Sequence, residues 1–383
     1  MHAAPSPDRL AHVFNMTRPA ILCGLIESAE IVLPCGAFDE TLAFFTEDLG
    51  FRVATIFPAD APATAVITGH GLRLRLDRHG AGDPGALRLA SRNPDAVAGG
   101  VRGIVAPNGT RIEIVDADPP IELPPLRESL VVARAAAGTP WHVGRAGLRY
   151  RDLLPDRLGG RFIASHIRID HGGPVPDYVH FHKVRFQMIY CRRGWVRVVY
   201  EDQGEPFVMQ AGDCVLQAPR IRHRVLESSD AMEVVELACP ALHETIADPL
   251  LPLPNARLDP ARDFSGQRFV RHVAQGAPLQ PWHSAGFCAR DLGIGAATAG
   301  LAGARVVRSN GAGATPVARH AAEFMFMFVL AGSATLRCAG AYRLTSDDAC
   351  AIPSGTDHGL EDCTPDFEFL EVTLPHDPGT AAA

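Results

Sequence analysis

An internal repeat is the feature of this sequence that most constrains its fold. The tripeptide Pro140-Trp141-His142 returns as Pro281-Trp282-His283, and further pairs recur at nearly constant spacing. These pairs are His182 and Gly194 with His320 and Gly332, 138 residues on, and His223 and Glu236 with His358 and Glu371, 135 residues on. The spacing predicts two related domains in tandem, residues 126–247 (the first repeat) and 263–383 (the second repeat). A proline-rich linker, 248–262, is expected to be extended between them.

The pattern of turns and apolar runs predicts a mainly β protein. The 36 glycines and 31 prolines separate short runs rich in valine, isoleucine and leucine, which favours strands over long helices. The clearest helical window is 39–49, where Leu42, Phe45 and Leu49 recur at helical spacing after a cap at Asp39.

Charge and composition argue against several classes of protein. The net charge of −7, without a long basic stretch, argues against a nucleic-acid partner. The longest apolar run, residues 324–331, is too short for a bilayer, and no signal-peptide pattern begins the chain, so we expect a cytoplasmic protein without membrane contact. Nine cysteines without a Cys-x-x-Cys pair predict no disulfide framework and no cysteine zinc site.

Residues 1–125 differ from the repeats. Strands are predicted near 30–35, 52–57, 64–68 and 72–77 around the 39–49 helix, followed by a shorter set near 87–90, 103–106 and 110–115. This βαβββ order and the phrases at 44–51 and 107–115 resemble the glyoxalase, or vicinal oxygen chelate, superfamily. The resemblance implies metal ligands on the first and last strands of a module, here Glu30 and Glu113. The alternative is a structural or dimerising domain.

The first repeat carries a histidine constellation. His180, His182, Gln187 and Gly194 form His-x-His-x4-Gln-x6-Gly, and His223 follows the Gly212-Asp213 turn. This spacing resembles the two motifs of the cupin superfamily, and with the repeat it implies two tandem cupin domains, each a double-stranded β-helix or jelly-roll barrel. Residues two apart on a strand share a face, so His180 and His182 point together into the barrel, where His223 joins them from another strand.

Three converging imidazoles predict one divalent transition metal per chain. Iron is the first expectation, with nickel, manganese, zinc or copper as alternatives. Gln187 stands where the cupin pattern has glutamate, so a ligand set of neutral histidines favours an anionic, chelating substrate. Gln187 either ligates weakly through its carbonyl oxygen or, as we favour, hydrogen-bonds a metal-bound water.

The second repeat has lost part of this pattern. His320 and His358 keep two histidine positions, but Ala318 and Met325 replace the other histidine and the glutamate. A second metal would need a carboxylate from Glu323 or Glu371, although Glu323 is expected to point away from the cavity. The alternative is a degenerate barrel kept for pairing, in which residues 324–330 form a buried strand.

Four more residues near the first site have two interpretations each. Tyr178 is either a donor to the substrate or an ordinary loop residue, and Glu236 is either a general base inside the barrel or a structural carboxyl. His166 and Arg168 share one strand face, where the arginine would clamp a carboxylate or the face would simply be solvated.

Three functions compete on this evidence. The first is a three-histidine Fe(II)-type dioxygenase, an oxidoreductase acting on a small diketone, enol, 2-oxo acid or aromatic acid. The second is an isomerase, cyclase or lyase that uses the metal as a Lewis acid, and the third is a non-catalytic small-molecule binder. A homodimer is expected because paired cupin barrels commonly exchange strands or pack face to face.

Overall fold

The fold is that of a computed structural model, which describes residues 26–136, 140–311 and 313–382. The chain divides into two compact units, one ending at Pro120 and the other beginning at Ile121. Cys23 and the N-terminal segment without a signal-peptide pattern lie outside the described residues. Within those ranges, no helix is both long and apolar enough to cross a bilayer.

The first unit contains two small sheets that share one apolar core. Its elements are β1 (Ile31–Pro34), α1 (Phe38–Ala43), a π-helical turn (Phe44–Asp48), β2 (Arg52–Phe57), β3 (Thr64–Gly69), β4 (Leu72–Asp77), β5 (Ala86–Ser91), a 3-10 turn (Pro94–Gly100), β6 (Gly103–Val105) and β7 (Arg111–Asp116). The sheet orders are β1-β4-β3-β2 and β5-β7-β6, with β1 parallel to β4 and β5 parallel to β7. The predicted βαβββ order is therefore confirmed, and a single 3-10 turn stands in the shortened second half.

The predicted cap of the first helix is wrong. The helix begins at Phe38, Ala37 occupies the N-cap position, and no side chain caps it. Asp39 instead lies in the first turn and pairs with Arg78 across 3.1 Å. Phe38 is fully buried. The start of the helix is therefore determined by burial of the Phe38 ring in the core, and not by a capping side chain.

The second unit contains both repeats. The strands of the first repeat are β8 (Val131–Ala133), β9 (His142–Val143), β10 (Arg149–Asp152), β11 (Ile163–Ile169), β12 (Gly173–Pro174), β13 (His180–His182), β14 (Phe186–Arg193), β15 (Trp195–Tyr200), β16 (Phe207–Gln210), β17 (Cys214–Leu216), β18 (His223–Ser228), β19 (Met232–Cys239) and β20 (Thr245–Ala247). Short helical turns at Arg145–Gly147 and Arg157–Gly160 (α2) connect some of them.

The second repeat follows the same order of elements. Its elements are β21 (Val270–His272), β22 (Gln280–Pro281), β23 (Phe287–Asp291), α3 (Ile294–Ala297), β24 (Gly303–Ser309), β25 (Ala318–Arg319), β26 (Phe324–Ala331), β27 (Ser333–Arg337), β28 (Ala341–Thr345), β29 (Ala349–Ala351), β30 (Gly359–Glu361), β31 (Glu368–Leu374) and β32 (Ala381–Ala382). The predicted buried strand is β26, in which every residue except Ala331 is buried.

Each repeat pairs a large sheet with a smaller one. In the first repeat the orders are β21-β17-β14-β19-β11-β10-β9 and β16-β15-β18-β13-β20; in the second they are β22-β23-β24-β31-β26-β29-β8 and β28-β27-β30. The repeats exchange strands, because β8 joins the large sheet of the second repeat and β21 joins that of the first. One shared apolar core joins the two large sheets, with Phe162 stacked on Phe324 at 4.2 Å between ring centroids.

Local hydrogen bonds recur at matching positions and explain why the two halves fold alike. Gly194 and Gly332 both have positive φ and both lie against a hydroxyl, that of Ser229 or Thr364, which leaves no room for a Cβ. That hydroxyl accepts a hydrogen bond from the next backbone amide in each repeat. The recurring glycine is therefore required by a turn that only glycine fits.

The linker is held by hydrogen bonds and ion pairs. No helix or strand forms across 248–262, and backbone hydrogen bonds from Leu251 to Asp248 and from Arg262 to Asp259 form a turn at each end. Asn255 exchanges two hydrogen bonds with Asp202 at the end of β15, and Arg262 pairs with Glu201 and Asp202 at 2.8 Å each. These contacts hold the linker against the first repeat.

Candidate metal centre

Three histidines of the first repeat lie together, as their spacing predicts. His180 and His182 occupy the two ends of β13, and His223 begins β18 in register with His180. The three ring centroids lie 4.3–5.3 Å apart, and one nitrogen of each ring lies within 4.8 Å of the other two. We name His180, His182 and His223 the histidine triad.

Hydrogen bonds orient each ring of the triad. The Nδ1 atoms of His180 and His223 lie 2.7 Å from the Tyr178 carbonyl oxygen and 3.0 Å from the Ile221 carbonyl oxygen. The Nδ1 atom of His182 lies 3.1 Å from the hydroxyl of Thr245. Because a backbone carbonyl can only accept, His180 and His223 carry their proton on Nδ1 and present a lone pair on Nε2, which in His180 faces the Arg145 guanidinium at 3.0 Å. This arrangement is typical of metal-ligating histidines.

Burial keeps the triad neutral. All three side chains are buried, and desolvation lowers the pKa of each ring, that of His182 to about 3. A neutral imidazole is the form that ligates a metal. The donor set therefore fits a divalent transition metal at neutral pH without loss of protons.

The triad lies in the wall of a cavity of about 620 Å³ between the two sheets of the first repeat. Its wall combines the three histidines, Arg145 and Glu236 with many aliphatic side chains from β11, β15, β18 and β19. On β11 the odd-numbered residues from Ile163 to Ile169 line the cavity, whereas the even-numbered ones face the other way.

This architecture is similar to that of solved oxalate decarboxylases. The crystal structure of Lactobacillus farciminis oxalate decarboxylase in complex with formate matches with a TM-score of 0.50 and 13% identity, covering 67% of this chain and 89% of that one. A deletion mutant of Bacillus subtilis oxalate decarboxylase matches with a TM-score of 0.49 and 12% identity, covering 66% and 79%. No protein-family model and no curated protein matches the sequence. The fold is that of a bicupin. At this level of identity the likeness extends to the fold alone.

Gln187 and Glu236 form a hydrogen-bonded pair within this bicupin. The Gln187 side-chain nitrogen donates to the Glu236 carboxyl at 2.7 Å. Burial raises the pKa of Glu236, and the hydrogen bond from Gln187 opposes that rise. Glu236 lines the cavity but Gln187 does not. The amide nitrogen of Gln187 is thus committed to Glu236, and its carbonyl oxygen alone remains for a metal or a water.

Tyr178 lies outside the cavity wall. Its side chain is 43% exposed, and its ring meets the edge of the His180 ring at 5.8 Å between centroids. The Arg145 guanidinium lies over the same ring at 5.5 Å. Direct contact between Tyr178 and a substrate therefore stays a prediction, and the observed role of this residue is to accept the Nδ1 proton of His180 through its backbone.

The structure adds two residues to the site that the motifs did not indicate. Arg145 places Nη2 at 3.0 Å from Nε2 of His180 and forms an ion pair with the buried Asp177. The ring of His243 lies 5.3 Å from that of His182, edge to face. Neither residue belongs to a cupin motif, and Arg145 precedes its histidine by 35 positions in sequence. No local pattern could have indicated either contact.

The second repeat does not reproduce the centre. Both ring nitrogens of His320 are occupied, Nδ1 by the Ala322 amide at 3.2 Å and Nε2 by the Ile352 carbonyl at 3.1 Å. The prediction that His320 could ligate a metal is therefore corrected, because that ring has no free lone pair. His358 retains its Nδ1 contact with a carbonyl, that of Thr356, but has no histidine partner arranged as in the triad.

The carboxylates predicted for the second repeat are also engaged elsewhere. Glu323 points away from the cavity, as expected, and pairs with Arg161 and Arg185. Glu371 is buried against Arg305, with 3.1 Å between the charged atoms. Among the described residues, the two groups able to hold a metal exclude His320 and His358.

The second such group joins the repeats rather than forming an open site. His166, Glu233 and Asp347 come together, with His166 Nε2 3.0 Å from the Glu233 carboxylate. Arg151 bridges them, since its Nη2 lies 3.0 Å from His166 Nδ1 and 2.7 Å from the Asp347 carbonyl. The expectation of a solvated face was wrong for His166, because the facing repeat covers that side of β11.

Neither Arg168 nor the two N-terminal carboxylates form a ligand site. Arg168 pairs with Asp170 at 2.8 Å and does not line the cavity. Glu30 accepts hydrogen bonds from Arg73 and Arg75 at 2.8 and 2.7 Å, whereas Glu113 is exposed on the other sheet beside Arg88. The two-carboxylate site that the glyoxalase resemblance implied is therefore not formed.

Proposed function

We propose that this chain is a metal-dependent enzyme in which His180, His182 and His223 hold one divalent transition metal, with Fe(II) preferred. The observation that carries the proposal is the orientation of the rings. Carbonyl acceptors hold the Nδ1 protons of His180 and His223, and the three rings converge in the wall of a cavity. In His320 backbone groups occupy both ring nitrogens, whereas Nε2 of His180 faces only the side chain of Arg145, which would have to turn aside for a metal to bind.

The substrate is proposed to be anionic at the end that meets the triad. Three neutral ligands leave the double charge of the metal uncompensated, and the Arg145 guanidinium adds a further positive charge beside His180. Asp177 holds Arg145 in place and also accepts a hydrogen bond from the Val225 amide at 2.9 Å. We assign Arg145 the role of binding a carboxylate or enolate oxygen of the substrate.

The preferred reaction is dioxygenation of a diketone, an enol, or a 2-oxo or aromatic acid. Fe(II) at the triad would supply positions for a chelating substrate and for dioxygen. The chain would supply the anion contact of Arg145 and a cavity that excludes bulk water. No charged ligand competes with the substrate, because the glutamate of the cupin motif is replaced by Gln187.

A second candidate is an isomerase, cyclase or lyase without oxygen chemistry. Glu236 favours it, because this partly buried carboxyl lines the cavity and desolvation raises its pKa, as general acid–base catalysis by a carboxyl requires. Gln187 would position that carboxyl, and the metal would polarise a substrate carbonyl.

Metal analysis and oxygen consumption test these proposals. Untagged protein should contain about one metal per chain, His180→Ala should lose it, and Gln187→Glu should retain it. Substrate-dependent oxygen uptake would select the dioxygenase, and turnover without uptake would select the Lewis-acid reaction. A triad that binds no Fe(II), Mn(II), Ni(II), Zn(II) or Cu(II) would contradict both.

For the remaining features we propose the following. The βαβββ unit is a vicinal oxygen chelate-like module kept for structure, since arginines engage both of its candidate carboxylates. The protein is cytoplasmic and homodimeric, and it binds a small molecule rather than a nucleic acid or a membrane. Sedimentation of the purified chain tests the dimer.

A further inference from the structure

The cavity of the first repeat continues beyond the triad along apolar strand faces. On β11, β15 and β19 the residues two and four positions from a polar or aromatic residue are aliphatic and lie on the same face, and on β18 the residue two positions from His223 is Val225. On β19 the sequence runs from Glu236 to Val234 and Met232, and its neighbour β11 runs from Ser165 to Ile167 and Ile169, in register. On β18 and β15, Val225 and Val198 pair with each other two residues beyond His223 and Tyr200.

These steps give the cavity two chemically different ends. Two residues along a strand span about 6.6 Å. The first layer of aliphatic side chains therefore lies about 6.6 Å along the strands from the histidines. The polar end holds the triad and Arg145, while valine, isoleucine and methionine side chains line most of the remaining wall, together with Tyr150, which pairs with Ile167, and its neighbour His142. A ligand that fills the cavity must therefore be anionic at one end and apolar along its body.

The size of the cavity also excludes a very small ligand as its natural occupant. About 620 Å³ falls within the roughly 300–1,000 Å³ typical of pockets that enclose drug-sized molecules. A two-carbon acid at the triad would leave the aliphatic walls uncovered, and a large apolar area would gain nothing from binding.

The second repeat has the same fold but lacks a cavity of this size at the equivalent strands, so the fold alone does not produce the cavity. Phe369 and Phe367 occupy the positions of Val234 and Met232, and Phe369 pairs with Val307 as Val234 pairs with Ile167. Both phenylalanines are fully buried, and the cavity beside His358 and Glu371 is about 30 Å³. A separate hollow of about 420 Å³ in this repeat is lined by Trp282, Ala289 and Arg305. Smaller side chains at the same positions open the first repeat.

We propose that the first repeat selects a substrate with an extended aliphatic or aromatic body. This proposal rests on the proposed function for the position of its anionic head, and it adds the substrate class: carboxylates or enolates with an apolar part of roughly a medium-chain acyl group or a ring system. The body lies between β11, β19, β15 and β18. The residues that select it are Ile167, Ile169, Val198, Val225, Met232 and Val234.

A carboxylate series on protein loaded with Ni²⁺, a redox-inert probe metal, tests this proposal by titration calorimetry. Acetate, octanoate and 4-phenylbutyrate share one head group and differ in their apolar body. Octanoate and 4-phenylbutyrate should bind at least about tenfold more tightly than acetate, because the added methylene or ring surface is buried. Equal affinity across the series would overturn the proposal.

Two variants carry the residues of the second repeat into the first. Val234→Phe and Met232→Phe should each weaken octanoate binding by about tenfold and leave acetate binding unchanged, because the triad is untouched. Val53→Phe, at an exposed position of the first unit, is the matched control and should change neither affinity. If one phenylalanine variant fails to fold, as judged by its thermal midpoint, the other decides the outcome.

The metal content of each variant separates this proposal from the one on which it rests. One Ni²⁺ per chain with octanoate affinity unchanged in both folded phenylalanine variants would overturn only the substrate class. Absence of bound Ni²⁺ from wild-type protein would instead overturn the proposed function. Selective loss of octanoate binding with the metal retained would support both.

Discussion

The two repeats have the same fold but opposite interiors. In the first, a histidine triad and a cavity of about 620 Å³ lie between the sheets. In the second, Met325, Met327, Phe367 and Phe369 fill the same space. The turn hydrogen bond is the same in both, but the inward-facing side chains differ, and the smaller sheet has three strands in the second repeat where the first has the order β16-β15-β18-β13-β20.

This difference shows how one scaffold divides two tasks. The filled repeat contributes buried apolar surface, both internally and against the large sheet of its partner repeat. The first repeat buries less apolar surface in its interior, and the space left between its sheets is the cavity beside the triad. The second repeat then supplies the larger part of the apolar burial that stabilises the unit.

The largest expected effect is on metal content, when the equivalent histidines of the two repeats are each replaced by alanine. His223→Ala should reduce bound metal from about one per chain to near zero, because two imidazoles hold a transition metal far less firmly than three. His358→Ala should leave the metal content unchanged. Elemental analysis of both purified variants checks this, and metal loss from the His358→Ala protein would show that the second repeat also binds.

The filled interior predicts a large effect on stability. Phe369→Val should lower the free energy of unfolding by about 2–4 kcal/mol, because it removes buried ring surface and leaves a cavity. The reverse change, Val234→Phe, should cost much less, because the ring enters existing space. Chemical denaturation of both variants measures the contrast, and equal losses would mean that the first cavity cannot accept a larger side chain.

A smaller effect on stability is expected when Gln187 is exchanged for the residue at the equivalent position of the second repeat. Gln187→Met introduces the residue of the second repeat and removes the hydrogen-bond donor from Glu236. We expect a loss of about 1–3 kcal/mol in unfolding free energy and a further rise in the pKa of Glu236, because burial is then opposed only by the weaker effects of His243 and Arg145. Met325→Gln is the matched reverse variant. A fall in metal affinity of more than about tenfold in Gln187→Met would identify Gln187 as a ligand.

Sequence reasoning predicted the parts of this molecule that depend on local chain geometry. The strands at 52–57 and 72–77 have the predicted bounds, and His180 and His182 share a face because strand residues alternate. The triad also depends on short-range contacts, since His180 and His223 each bond to a carbonyl two residues earlier.

Features that depend on distant contacts were not predictable in this way. Arg145 reaches His180 across a turn without a motif, and His166 is buried by Arg151 and the opposite repeat. His320 kept the spacing of a ligand, yet a carbonyl and an amide occupy its ring nitrogens. Spacing therefore predicts where a histidine lies, but its ligating ability depends on what else reaches its ring.

The last expected effect is a pH dependence of the stability of the metal-free protein, which is small for each tenth of a pH unit but accumulates over several pH units. An unfolded histidine titrates near pH 6.5, whereas burial holds the folded pKa of His182 at about 3. Between these values the unfolded chain binds a proton that the folded chain does not, so stability falls as the pH falls from about 6.5 towards 3. The slope for this residue is at most about 1.4 kcal/mol per pH unit. His182→Gln should flatten the dependence of unfolding free energy on pH across this window in denaturation experiments, and the exposed His79→Gln should not. Identical slopes for wild-type protein and His182→Gln would mean that His182 is protonated in the folded state as readily as in the unfolded one.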